Sequence, residues 1–187
     1  MNKRRQKQIE RIALTILRNC FSGNPEKLLV SGGIDVKKVA SYLGIELVPQ
    51  ELKDDFPAEA SLNTTIGKIN HNAKDGLRRY RFMVAQEIGR YVLDRQHQGK
   101  FENLPLRYFS IFTANDSPIN EDVQEREANA FAAALLMPRD LLIDAVKKAY
   151  QSRMSENENY DIIQALADQF DVSKLAMSTR LTNLDLA

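Results

Sequence analysis

Apolar residues Ile9, Ile12, Ala13, Ile16 and Leu17 recur at intervals of three and four, which predicts a helix from Ile9 to Cys20 with one buried face. Gly23, Pro25, Gly32 and Gly33 end that pattern. Asp35 then caps a second helix running through Leu43, which turns Val36, Val39, Ala40 and Leu43 inward and stops at Gly44. Ile45 to Val48 reads as a strand, and Ala58 to Leu62 and Ile66 to Asn70 as two more around a turn at Asn63 and Thr64. The polar stretch from Asn72 to Gly76 leads out of the sheet. From Leu77 to about Leu93 the residues Phe82, Ala85, Ile88, Gly89 and Val92 share one broad face, as a helix packed beneath a sheet requires.

The second half of the chain is predicted to be helical after a loop-like stretch from Arg95 to Ile119 that holds a strand at Tyr108 to Phe112. Asn120 is placed to cap a helix whose alanine-rich body, Glu125 to Met137, ends at Pro138. A further helix runs to about Tyr150, and the polar stretch from Gln151 to Asn159 reads as a linker. This divides the chain into a main unit, 1–150, and a helical C-terminal segment, 151–187, packed on it. That segment has a helix-turn-helix outline. Leu166, Ala167 and Phe170 lie on one helix, Asp171 and Val172 form a turn, and Ser173 caps a second helix carrying Ala176 and Leu181. Lys174, Ser178 and Thr182 are the candidate contacts to DNA or a partner, with Arg180 a weaker fourth because its position also allows inward packing; a structural role for the segment is the preferred reading.

Composition narrows the function classes. Of 187 residues, 43% are hydrophobic, enough for one substantial core. With 26 basic and 25 acidic residues the net charge is +1, so no global field marks a general nucleic-acid binder, and any DNA contact has to be local. The basic cluster Lys3, Arg4, Arg5 and Lys7 reads as a solvated end. Cys20 stands alone, which excludes an intramolecular disulfide and a cysteine-rich metal knuckle and points to a reducing, cytoplasmic setting. No apolar run reaches membrane-spanning length.

One helix carries a chemical signature with its key residues exchanged. A helical zinc-protease motif, HExxH, sets two histidines one turn apart on one face and uses the intervening glutamate to polarise a metal-bound water. Here the corresponding stretch reads QEIGR, with Gln86 and Arg90 at the histidine positions, Glu87 at the base position and Gly89 permitting close packing. Glu127, on the following helix, is a fitting third ligand. Four segments together resemble the ImmA/IrrE family of zinc metallopeptidases: IDVKKVASYLGIEL, IGKIN with RRYRFMVAQEIGRYVL, EREANAFAAALLMP, and LADQFDVSKLAMSTRL.

That resemblance implies an α+β fold, with a small, mostly antiparallel sheet on the motif helix and a helical C-terminal part. It assigns Gln86, Arg90 and Glu127 to vestigial metal positions and Glu87 to a vestigial base. A glutamine amide is a poor zinc ligand and an arginine a permanent cation, so no metal, cofactor or hydrolytic activity is expected. Arg90 is expected to pair with Glu127, and with Glu87, where the metal's charge would stand. The implied function is binding of a regulatory protein, typically a helix-turn-helix repressor of a mobile element or stress response. The groove beside Glu87 and a sheet edge near Ile66 to Asn70 would serve as the docking surface. Two alternatives stand beside it: an active zinc peptidase cleaving such a repressor with an atypical ligand set, to which His71 or His97 would contribute, and a DNA-binding regulator acting through the C-terminal helices.

Overall fold

Asn2 starts the first helix. Its side-chain oxygen accepts the Arg5 backbone N–H at 2.8 Å, so α1 spans Lys3–Cys20 and begins well before Ile9. The structure, a computed structural model, describes residues 1–22, 32–50, 61–63, 68–72, 76–97, 121–156 and 161–186. The strand expected at 108–112 and the Asn120 cap lie outside them. The five apolar residues read from the sequence are the ones α1 buries. α2, Val36–Tyr42, is capped as expected by Asp35, which accepts the Lys37 and Lys38 N–H groups at 3.0 and 3.1 Å.

The sheet is mixed, which corrects the expectation of a mostly antiparallel one. Its strands are β1 (Glu46–Gln50), β2 (Ser61–Asn63) and β3 (Lys68–Asn72), in the order β1-β3-β2. β2 and β3 pair antiparallel over three residues, but β1 and β3 pair parallel over five. The physical reason lies in the strand order: β3 sits between β2 and β1, so the strand next to β1 in sequence is not its neighbour in the sheet, and β1 pairs with β3 at a register that sets Leu47 opposite Ile69. Ile69 is buried in the apolar core and Leu47 is half-buried against it, so the pair turns one face of the sheet to the core. A consequence follows for recognition: β3 is the central strand, so its backbone groups between Lys68 and Asn70 are flanked on both sides. The edge expected there is closed.

α3, Leu77–His97, buries Val84, Ala85, Ile88 and Val92 and makes its most extensive contact with α4, Glu121–Leu136. Small residues bring the two helices together. A Cβ added at Gly89 would lie 3.0 Å from Phe131 Cδ1 and 3.1 Å from Phe131 Cβ, so the bare glycine leaves just the room that this ring occupies. Met137 and Pro138 separate α4 from α5, Arg139–Glu156. α5 runs on past Tyr150, so the first part of the stretch expected as a linker is helix.

The helix-turn-helix outline is present as α6, Ile162–Phe170, and α7, Lys174–Asn183. Asp171 takes the left-handed conformation between them, with φ 49°, and Ser173 caps α7 by accepting the Ala176 N–H at 3.1 Å. The turn is tied to the start of α3. Arg78 donates to Asp168 at 2.7 Å and to Asp171 at 3.1 Å, and Arg81 lies 3.4 Å from Asp171. Gly33 admits this arrangement because a Cβ there would stand 2.3 Å from the Phe170 carbonyl oxygen. Leu166, Phe170, Val172, Met177 and Leu181 share one apolar core with α1 to α4.

Candidate functional site

The close approach of α3 and α4 sets two buried carboxylates near their interface, Glu87 at 6% exposure and Glu127 at 9%. Each meets a guanidinium, and the pairing differs from the one the sequence suggests. Arg90 reaches back one turn to Glu87, with its Nε 3.4 Å from Oε1. That contact is loose, since Arg90 Nε is buried and makes no hydrogen bond. Glu127 is held by Arg5 instead. Arg5 Nε donates to Glu127 Oε1 at 2.6 Å, Nη2 donates to Oε2, and Nη1 donates to Gln8 at 3.1 Å. The Arg90–Glu127 pair therefore does not form; both oxygens of Glu127 face a fork from α1.

Arg5 is the site residue that sequence reasoning missed. In sequence it belongs to a basic cluster that reads as solvated, yet it sits one turn before Ile9 and continues the Ile9, Ile12 and Ile16 stripe. An arginine on an otherwise apolar helical face is a signal that a buried acid waits opposite it.

The environment of Glu87 has an electrostatic consequence. Burial pushes its carboxyl up to about 7 from an ordinary value near 4.5, and Arg90 offsets only part of that. The folded chain thus holds this proton more tightly than the unfolded chain does. The stability linked to it is fully present below about pH 4.5 and is lost as pH rises through about 7. Glu87→Gln should flatten that loss. Urea titrations at pH 5 and pH 8 should find the variant close to the parent at the lower pH and more stable by roughly 3 kcal/mol at the higher one. Equal differences at the two pH values would refute the assignment.

These residues do not suit a zinc ion. Tetrahedral zinc sites draw on imidazole, thiolate and carboxylate donors. The positions in question offer an amide at Gln86, a guanidinium at Arg90 and, at Glu127, a carboxylate already held in both oxygens. Among the described residues no group of three His, Cys, Asp or Glu side chains is placed to hold a metal. His71 lies in β3 and His97 ends α3.

The C-terminal candidates follow one another at four-residue spacing along α7, but their polar groups are engaged within the segment. Lys174 pairs with Asp161, Thr182 donates to the Ser178 carbonyl at 3.0 Å, and Ser178 is half-buried. Arg180, the weaker candidate, turns inward. At 3% exposure it donates to both oxygens of Glu10 and twice to the Met137 carbonyl, at 3.1 and 3.0 Å.

A buried glutamate at the base position of one helix, packed on a second helix that presents another, is the arrangement the sequence resemblance called for. The family model for the IrrE N-terminal-like domain, Peptidase_M78, matches residues 40–182. The chain belongs to this family. Among solved structures, this IrrE-like chain is similar to a Mycobacterium tuberculosis transcriptional regulator, at a TM-score of 0.57 and 14% sequence identity. The likeness covers 93% of this chain and 46% of that one, so the chain spans a little under half the length of the regulator it resembles. No curated protein matches it. Among the described residues no helix is long and apolar enough to cross a membrane.

Proposed function

We propose that this IrrE-like chain is a non-catalytic member of its family that binds a regulatory protein, a helix-turn-helix repressor, and so acts on transcription without cleaving its partner. The observation that carries this reading is the pairing of Glu87 with Arg90 and of Glu127 with Arg5. A permanent cation of the chain, Arg5, engages both oxygens of Glu127, the carboxylate a catalytic zinc would need as a ligand, and a second, Arg90, stands beside Glu87, so the chain already supplies the positive charge that a metal would bring. The regulatory side of the reading is supported by family membership and by the likeness to a transcriptional regulator. DNA reading by α7 has less support. Lys174 is engaged by Asp161, and Arg180 is buried.

The test combines metal content with the fate of a partner. After incubation with zinc and gel filtration, the purified chain should carry far less than one equivalent of metal. Mixed with a helix-turn-helix repressor recovered in a pull-down with the chain, it should form a complex in which the repressor stays intact. Stoichiometric zinc that disappears on Glu127→Ala, together with cleaved repressor, would overturn the proposal.

A further inference from the structure

The outer face of α1 carries a stripe of cations. Lys3, Arg4, Lys7, Arg11 and Arg18 are all exposed, and at 3.6 residues per turn they fall within an arc of roughly 100° opposite the buried Ile9, Ile12 and Ile16. Arg5 leaves the basic cluster at the start of the helix and turns inward. Arg11 and Arg18 instead carry the stripe on to the last turn, over about 22 Å at about 1.5 Å per residue. No acid answers it. The two ion pairs that α1 makes among the described residues run inward, Arg5 to Glu127 and Glu10 to Arg180, and none of the five outer cations takes part in one. Helix stability does not ask for this arrangement. Lys3 and Arg4 stand in a first turn without an acidic residue, where the helix dipole favours negative charge, and Lys3, Lys7 and Arg11 follow at four-residue spacing, where like charges repel.

We propose that this stripe lies against the phosphate backbone of a nucleic-acid duplex and holds it without reading its sequence. The make-up of the face selects this occupant. Between the cations it offers one half-buried leucine, Leu14, where a protein partner needs a desolvated apolar centre to anchor on. An anionic membrane would take up such a helix through its apolar side, and that side of α1 is buried in the core. A phosphate backbone requires only cations within reach. One strand presents a phosphate about every 3.4 Å of duplex axis, so a rod of about 22 Å meets several. The net charge of the whole chain is only +1, which confines such contacts to this face. The stripe is separate from the site at Glu87, and the partner-binding reading stands or falls without it.

Fluorescence anisotropy of the full-length chain on labelled duplexes of scrambled sequence tests this. Log affinity should fall with log salt at a slope of about −4.5, as roughly five phosphate contacts predict. Combining Arg4→Gln, Arg11→Gln and Arg18→Gln should bring the slope to about −2 and weaken binding at low salt at least about tenfold. Glutamine is a good helix former, and an unchanged thermal melt shows that the fold persists. The control removes the same charge elsewhere. Arg139→Gln, Lys147→Gln and Lys148→Gln, all exposed on α5, should together leave slope and affinity near those of the parent. DNA and RNA duplexes run side by side assign the source of the phosphates, which is the one bound more tightly. The proposal fails if no duplex binds at low salt, if the α5 control loses as much as the α1 variant, or if the α1 variant keeps the parent's slope. It fails equally if phosphatidylserine vesicles or polyglutamate bind through the α1 cations and the duplexes do not.

Discussion

Replacing Arg5 with methionine is expected to destabilise the fold by about 3 kcal/mol, a size that follows from leaving a buried carboxylate without its counter-charge. Glu127 is 9% exposed and both of its oxygens are taken by the Arg5 fork, so the methionine variant keeps the apolar stem of the side chain and removes only the charge and the donors. The informative comparison is the double variant. Adding Glu127→Gln to Arg5→Met removes the stranded charge, and a large part of the lost stability should return. A urea double-mutant cycle measures this. Strict additivity, with the two single costs summing in the double variant, would show that the pair is not coupled and that Arg5 acts through packing alone.

Arg180→Met should cost a comparable amount, about 3 kcal/mol, by a different route. Arg180 links three parts of the chain, donating from α7 to Glu10 on α1 and to the Met137 carbonyl at the end of α4. Methionine fills the space and satisfies neither acceptor. The buried carbonyl loses two donors, and α7 loses its polar anchor to the rest of the molecule. Hydrogen exchange should therefore locate the damage, with α6 and α7 losing protection before α3 and α4 do. Uniform loss across the chain would place Arg180 in the global core instead.

Much of this fold was legible because local rules and tertiary packing agree. The α1 and α2 faces, the Asp35 and Ser173 caps, and the close packing at Gly89 all follow from periodicity or side-chain chemistry within one turn. The sheet was less legible. The pairing of β1 with β3 joins segments whose order and direction no local pattern records, and a parallel partner leaves no turn signature between the strands. The site was legible in part. Glu87 and Glu127 were readable from the motif, but the cation opposite Glu127 comes from a helix 122 residues away, and its position on the apolar stripe of α1 was the only local trace. Arg90 went to the nearer acid because a side chain one turn along its own helix needs no tertiary contact to be reached.

The Arg5–Glu127 contact also acts as a ratchet. Suppose drift or design restored histidines at positions 86 and 90: the third carboxylate would still be clasped by α1, and a metal would have to evict a guanidinium to reach it. Removing Arg5 first strands Glu127, and exchanging residues 86 and 90 first gains nothing, so each single step toward a metal centre is neutral or harmful. The path from the present residues to a three-ligand site therefore runs through at least three changes on two helices, at 86 and 90 on α3 and at Arg5 on α1, and the last of them is harmful until another cation stands beside Glu127.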